Sequence, residues 1–436
     1  MLTKSNKILL MVSLVFIISS NVFAENWFIR DGTEQNNKSK LYFVGLIQPT
    51  FQHDFSDDLS GLQGPLSSFN GKKTTLSNIA PSYDSSQSFY LFRVRFGARG
   101  TILDDINYEF VAEYGANALT TIPNDNPKVE LAEGSITFNQ IKGMRIRAGL
   151  FKVPGPEESQ RYAIEYINFT NATQFLVNTQ PYKKVSNMSA DVFTATPRSG
   201  VRAFRDTGVQ IFDAFTYGRN EWSYALMMGN GNTLNKTDDN DKMSYYGRVQ
   251  YSFLYPDDSY QFQRLRSDLT VFAWYHNDNL TFDNQDYDLN KRGLGVTFVK
   301  DIWQFNAEYM ESEGMMYLTP LFKDQIGGIL FSSKNNEAMG WYIDTGAFVS
   351  KNWLLGVRYD ELNQDPIDKS LERTFKTTTL AAQYYFTKKV RVAFNYEIRD
   401  YDYGKQSLMS KQDAFNTNKI EDSVENRFAV QLSVKL

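Results

Sequence analysis

The chain has 436 residues, 42% of them hydrophobic and 15% aromatic, with no cysteine and a formal net charge of -4. A mean hydropathy of -0.44 excludes a bundle of membrane-spanning helices, which needs runs of about 20 apolar residues. The mild acidity gives no support for nucleic-acid binding, and the lack of cysteine excludes a disulfide scaffold.

The one long apolar run, residues 8–18 (ILLMVSLVFII), follows Lys4 and Lys7 and leads to Val22-Phe23-Ala24 before Glu25. Basic start, short apolar stretch and small-x-small site together predict a secretory signal peptide over residues 1–24. No Pro/Gly/Ser linker or composition break divides residues 25–436, which read as a single domain.

From there the chain alternates with period two. About sixteen strands are predicted, at 41–53, 88–101, 106–115, 129–139, 144–152, 207–215, 221–229 and 244–253 in the first half. The second half has 268–276, 292–300, 302–311, 340–350, 353–360, 378–386, 390–400 and 425–436. Each is about ten residues, enough to cross a bilayer at roughly 45° tilt. The connections alternate as well. Leu103-Asp104-Asp105, Ile141-Lys142-Gly143, Tyr217-Gly218-Arg219-Asn220, Ser350-Lys351-Asn352 and Thr387-Lys388-Lys389 are short, whereas 54–87, 153–206, 312–339 and 401–424 are long and polar. Residues 254–266 break the rule, being long where a short turn is due.

Alternation sorts the charges. One face carries Tyr108, Phe110, Ala112 and Tyr114 on one strand and Trp222, Tyr224, Leu226 and Met228 on another, and Val390, Val392, Phe394, Tyr396 and Ile398 near the end. None is ionisable. A charge facing lipid at the midplane costs about 2–4 kcal/mol, so an uncharged face is what a bilayer demands. The other face holds Arg93, Arg95, Arg99, Arg145, Arg147, Arg248, Arg358, Arg391 and Arg399, with Arg292 and Lys435 added as further basic wall positions. Against these stand Glu109, Glu113, Glu133, Glu308, Asp344, Asp360 and Glu397, a modest excess of bases. A dry core would need a close partner for every one of these ions. The pattern therefore predicts an all-β fold, a transmembrane antiparallel β-barrel of about sixteen strands with its apolar face in lipid and its charged face on water. Trp222, Trp303 and Trp353 each open a strand after a short turn, where an interfacial girdle belongs.

The segment Met144–Pro154 (MRIRAGLFKVP), followed by Arg161-Tyr162, resembles the phosphate-selective porin O and P family, as does the strand start Arg205-Asp206-Thr207-Gly208-Val209-Gln210. The resemblance in layout spans nearly the whole mature chain. It implies a trimeric barrel in the outer membrane of a Gram-negative bacterium, with a long loop, 153–206, folded into the lumen as a constriction. Outer-membrane lipid and small anions such as phosphate are the implied partners, together with two further copies of the chain. On these residues, Arg93, Arg95 and Arg99 are the implied arginine ladder. Arg145, Arg147, Lys152 and Arg161 lie near the constriction, and Tyr162 and Tyr166 narrow it. Guanidinium groups suit this task because they make bidentate contacts with phosphate oxygens. The chain departs from the family at Val153-Pro154-Gly155-Pro156-Glu157-Glu158, where Pro-Phe-Gly is usual, and at Gln160, where serine is common.

Other chemistry is sparse. His53 and His276 lack metal-ligand or nucleophile motifs, so no cofactor or metal is expected. Gly229-Asn230-Gly231-Asn232 reads as a hairpin loop. Acidic loop positions, among them Asp54, Asp57, Asp58, Asp278, Asp286 and Asp288, would repel incoming anions unless salt screens them. A general or carbohydrate-type porin, a barrel enzyme and an adhesion barrel stand as alternatives.

Overall fold

The computed structural model describes residues 41–71, 87–103, 105–115, 128–161, 184–185, 204–231, 237–238, 240–256, 266–282, 285–313, 316–319, 328–331, 337–364 and 372–436. The expected signal peptide, Tyr162, Tyr166 and most of the expected constriction loop, 162–183 and 186–203, lie outside them. The first eight strands are β1 (Leu41–Asp54), β2 (Gln87–Leu103), β3 (Ile106–Tyr114), β4 (Glu130–Phe138), β5 (Arg145–Lys152), β6 (Arg205–Tyr217), β7 (Asn220–Gly229) and β8 (Ser244–Leu254). The second eight are β9 (Asp268–Phe282), β10 (Gln285–Lys300), β11 (Trp303–Glu313), β12 (Glu337–Phe348), β13 (Trp353–Gln364), β14 (Arg373–Thr387), β15 (Val390–Tyr403) and β16 (Arg427–Lys435).

Each strand pairs antiparallel with the next, and β16 pairs back onto β1, so the sheet closes. Closure satisfies every edge within the sheet, the condition for crossing hydrocarbon. At the seam the Gln48 amide donates to Gln431 (2.9 Å) and Ser433 (3.0 Å), and the Leu436 amide N–H donates to the Gly45 carbonyl (3.0 Å). All sixteen expected strands are present, most of them longer toward the long loops. β9 and β10 run on until only residues 283–284 separate them, so most of 277–291, read as loop, is paired sheet. Beyond the bilayer both faces of a hairpin are wet, and the polarity pattern that reveals a strand disappears while the ladder continues.

Outward side chains are apolar along the middle of the barrel: Phe110, Leu226, Val249, Val271, Leu355, Val357 and Leu380 are all exposed. Above and below them lie aromatic belts. Trp222 contacts Tyr251 and Trp353 contacts Tyr384 near the short turns (ring centroids 4.8 and 5.1 Å), and Trp341 contacts Tyr359 (5.1 Å). Their amphipathic rings suit the membrane–water boundary. Arg292 belongs outside, paired with Glu311 across β10–β11, and not on the inner wall as expected. It shares the parity of the outward Leu294, and its neighbour Lys291 is the inward residue.

The interior departs from a wall of charge on water. On the long-loop side of β7–β15, inward Met227, Tyr246, Phe272, Trp274, Met310, Tyr342, Phe375 and Tyr401 form an apolar core. Leu59, Leu62 and Leu66 of the first long loop and Ile420 of α2 (Lys411–Ser423) pack into it. These two loops cap the mouth together: the Gln63 N–H donates to Asn416 Oδ1 (2.9 Å), and the Asn416 amide returns a bond to the Gln63 carbonyl (3.1 Å). Arg399 donates to Asp54 at the base of the cap (2.7 Å). Asp54 and Asp278, expected on an acidic rim, are buried inward. α2 lies where a polar loop was expected, with Ser410 Oγ accepting the Asp413 N–H (3.1 Å) as its N-terminal cap.

Candidate functional site in the barrel lumen

The lumen has a basic wall and a packed wall. The basic wall is built by β2–β5, where alternate inward positions of two adjacent strands meet across the ladder. Arg93 and Arg95 share one carboxylate: Arg93 Nε donates to Glu113 Oε1 (3.1 Å) and Arg95 Nε to Glu113 Oε2. Glu113 is fully covered, whereas the Arg93 and Arg95 side chains remain 18% and 14% exposed. Arg93 also donates to Gln48 (3.2 Å). Arg99 stands opposite Glu109 in the β2–β3 register. Farther round, Arg145 Nε lies 3.6 Å from Asp213, and Arg205 pairs with Glu133 (2.8 Å).

Arg147, expected beside the constriction, is buried on the same wall. Its guanidinium lies over the Phe212 ring (4.9 Å), and Nε donates to Thr137 (3.2 Å). Gly149, two residues on, has φ +124, a conformation open to glycine, and a Cβ there would sit 2.2 Å from the Gly134 carbonyl. The glycine is what lets β4 and β5 come together at this point.

The packed wall is joined to residues 153–161, which leave β5 and turn inward as a single helical turn, α1 (Glu157–Gln160). Four wall strands hold it. His276 Nε2 donates to the Pro154 carbonyl (2.9 Å) from β9, which selects its Nε2–H tautomer. A Cβ on Gly155 would lie 2.9 Å from that imidazole, so glycine is needed for the segment to lie flat. From β8, Arg248 donates to the Gly155 carbonyl and to Glu157 Oε2, both at 2.7 Å, while stacking on Phe272 (4.0 Å). From β11, Glu308 accepts the Glu157 N–H (3.2 Å) as well as bonds from Trp274 Nε1 (2.8 Å) and Tyr342 Oη (2.9 Å). From β13, Arg358 Nη1 donates to Glu158 Oε1 (2.5 Å) and lies over the Tyr342 ring of β12 (4.2 Å).

Arg161 is buried in the same network, donating to Glu157 (2.9 Å) and to Asn306. Burial works against its charge, but Glu157 and Asp344 outweigh it and hold its pKa above the ordinary arginine value. Lys152 donates to the carbonyls of Gln160 (3.0 Å) and Arg161 (3.3 Å), an ammonium on the free carbonyls that end the helical turn. The Gln160 amide donates to the Val153 carbonyl (2.5 Å) and so closes the segment on itself.

Of the expected site residues, the fold brings Arg93, Arg95, Arg99 and Arg145 to one wall and Lys152 and Arg161 to the in-turned segment. The sequence reading missed the anchors: His276, Arg248 and Glu308 are alternate inward residues like any others, and only the turn they hold gives them a task. It also missed Lys291, whose Nζ is buried with no hydrogen-bond partner among the described residues, next to His276 in the β9–β10 register.

Fold and lumen together define a transmembrane barrel of the porin type, with a loop segment turned into the lumen. No family model matches the sequence, and no curated protein matches it. Among solved structures, the anion-selective porin from Comamonas acidovorans is similar at a TM-score of 0.52 and 12% identity, over 91% of this chain and 99% of that one. OmpF of Salmonella typhi, solved in complex with daunomycin, gives 0.51 and 12% identity over 91% and 98%. The outer membrane channel DcaP of Acinetobacter baumannii gives 0.50 and 12% identity over 93% and 100%. The shared feature is the closed barrel fold.

Proposed function

We propose that the chain is a passive porin of the outer membrane that admits small anionic, phosphate-like solutes along the β2–β5 wall. The supporting observation is the contrast at Glu113: the carboxylate is fully covered, while the two arginines that cover it keep part of their own surface open. A solute passing this wall meets guanidinium donors, arranged for transient charge-assisted contacts that replace part of its hydration. The acids of the in-turned segment and the wall that holds it, Glu157, Glu158, Glu308, Asp344 and Asp360, are buried. Residues 153–206 serve as the constriction in this reading, with Arg161 bracing its first part and Arg147 packed into the wall rather than touching solute.

Export by a cleaved signal peptide accords with this location. Assembly as a homotrimer is supported by the outer surface: among the described residues the exposed tryptophans, Trp222, Trp303, Trp341 and Trp353, lie on β7 and β11–β13. The exterior of β1–β5 instead presents Phe43, Phe89, Phe96 and Phe110, a surface suited to further copies of the chain.

Planar-bilayer recording tests the function. Stepwise conductance is expected, with a reversal potential in a salt gradient that favours anions and a chloride current that added phosphate reduces. A cation-selective pore, or one indifferent to phosphate, sinks the anion reading, and turnover of lipid or peptide without conductance would replace the channel by an enzyme.

A further inference from the structure

The first turn of α1, in the segment that leaves β5 and turns inward, carries two adjacent carboxylates, Glu157 and Glu158. Left free, they would put negative charge opposite the arginines of β2–β5 and draw cations through the pore. Both instead point back into the wall. Glu157 is held by Arg248 and Arg161, and Glu158 by Arg358, whose guanidinium also faces Asp360 (3.4 Å) and Asp344 (3.7 Å). The two glutamates are 2% and 8% exposed.

We propose that Arg358 and Arg248 are specificity-determining positioning residues: they keep the loop carboxylates out of the ion path and so set the sign of the charge that a permeating ion meets. This deepens the anion-porin reading and rests on it. The argument is geometric. Glu158 keeps more of its side chain exposed than Glu157, and Arg358 is a wall group that donates to it. A carboxylate deprived of its arginine in a water-poor site moves to where water can solvate it, and the water here is in the lumen. Arg248 differs in having a second bond to the Gly155 backbone, so its loss frees a carboxylate and loosens the segment as well.

The test is the reversal potential of the full-length protein in planar bilayers under a potassium chloride gradient, for wild type, Arg358→Gln, Glu158→Gln and the double variant. Arg358→Gln is expected to shift the chloride-to-potassium permeability ratio toward potassium by about threefold. The double variant strands Asp344 and Asp360 of the wall just as Arg358→Gln does but has no loop carboxylate to free, and is expected to return to the wild-type ratio. Glu158→Gln alone is expected to match wild type, because Arg358 is itself covered and keeps Asp344 and Asp360 as partners, so no new charge meets the ion path. Equal shifts in Arg358→Gln and the double variant would overturn the proposal, since the lost cation would then be the cause. A rise in anion preference in Glu158→Gln would also overturn it, and that result can be read even if Arg358→Gln does not insert. A wild-type pore without anion preference would defeat the functional reading instead, and the variant shifts would still report on the hidden carboxylates.

Discussion

The β2–β5 wall and the β8–β13 wall carry similar side chains and use them differently. On the first, Arg93 and Arg95 cover Glu113 and keep part of their own surface open. On the second, Arg248 and Arg358 are themselves buried, spent on the backbone and carboxylates of a segment from elsewhere in the chain. An inward arginine in a barrel is thus not by itself a solute contact. What decides its role is whether a loop comes back to cover it. Removing one partner of a covered pair strands a charge, while removing an uncovered partner leaves water to replace it.

That contrast can be strained from both sides. The largest effect is expected for Arg248→Ala, which strands Glu157 and the Gly155 carbonyl and should lower barrel stability by about 3–5 kcal/mol in urea titration of the folded protein. Leu226→Arg, on the lipid face shared by neither wall, should cost about 2–4 kcal/mol by the same measurement and provides a scale for the others. Glu113→Gln should cost about 1–3 kcal/mol, because a neutral amide replaces a carboxylate that accepts from two arginines, yet raise anion preference in reversal-potential recordings. Arg93→Ala should change stability less than Glu113→Gln, since Arg95 still covers Glu113, and weaken phosphate block. If Arg93→Ala destabilised the barrel as strongly as Arg248→Ala, the distinction between the walls would fail. Lys351→Ala, in an exposed short turn, should leave both stability and block unchanged.

Much of this fold was legible because a bilayer imposes a simple rule on sequence. Every second residue of a spanning strand must be uncharged, so the parity of Trp222, Tyr224, Leu226 and Met228 marks the outside without any contact being known. The same rule, applied strictly, assigns Arg292 to the outside with Leu294, and its misplacement came from counting it by charge instead of parity. Features outside the bilayer obey no such rule. The upper halves of β9 and β10, the helix α2 and the Leu59–Leu66 stretch were missed because polar residues there alternate with nothing. The arginines of the candidate site were visible, but their division into open and covered was not, since it depends on pairs such as Arg358 and Glu158, 200 positions apart.

The seam between β1 and β16 carries a consequence for assembly. Gln48 and Gln431 are separated by 383 positions, so the contacts that close the ring have nearly the longest range the chain can offer. Loop closure over such a span is slow, which makes ring closure the expected last step of folding. Until it happens, the β1 and β16 edges both offer unpaired backbone to any neighbour, beside apolar side chains as bare as Phe43. The half-made barrel is therefore the aggregation-prone species, and a helper that shields those two edges would protect it better than one that shields the apolar band.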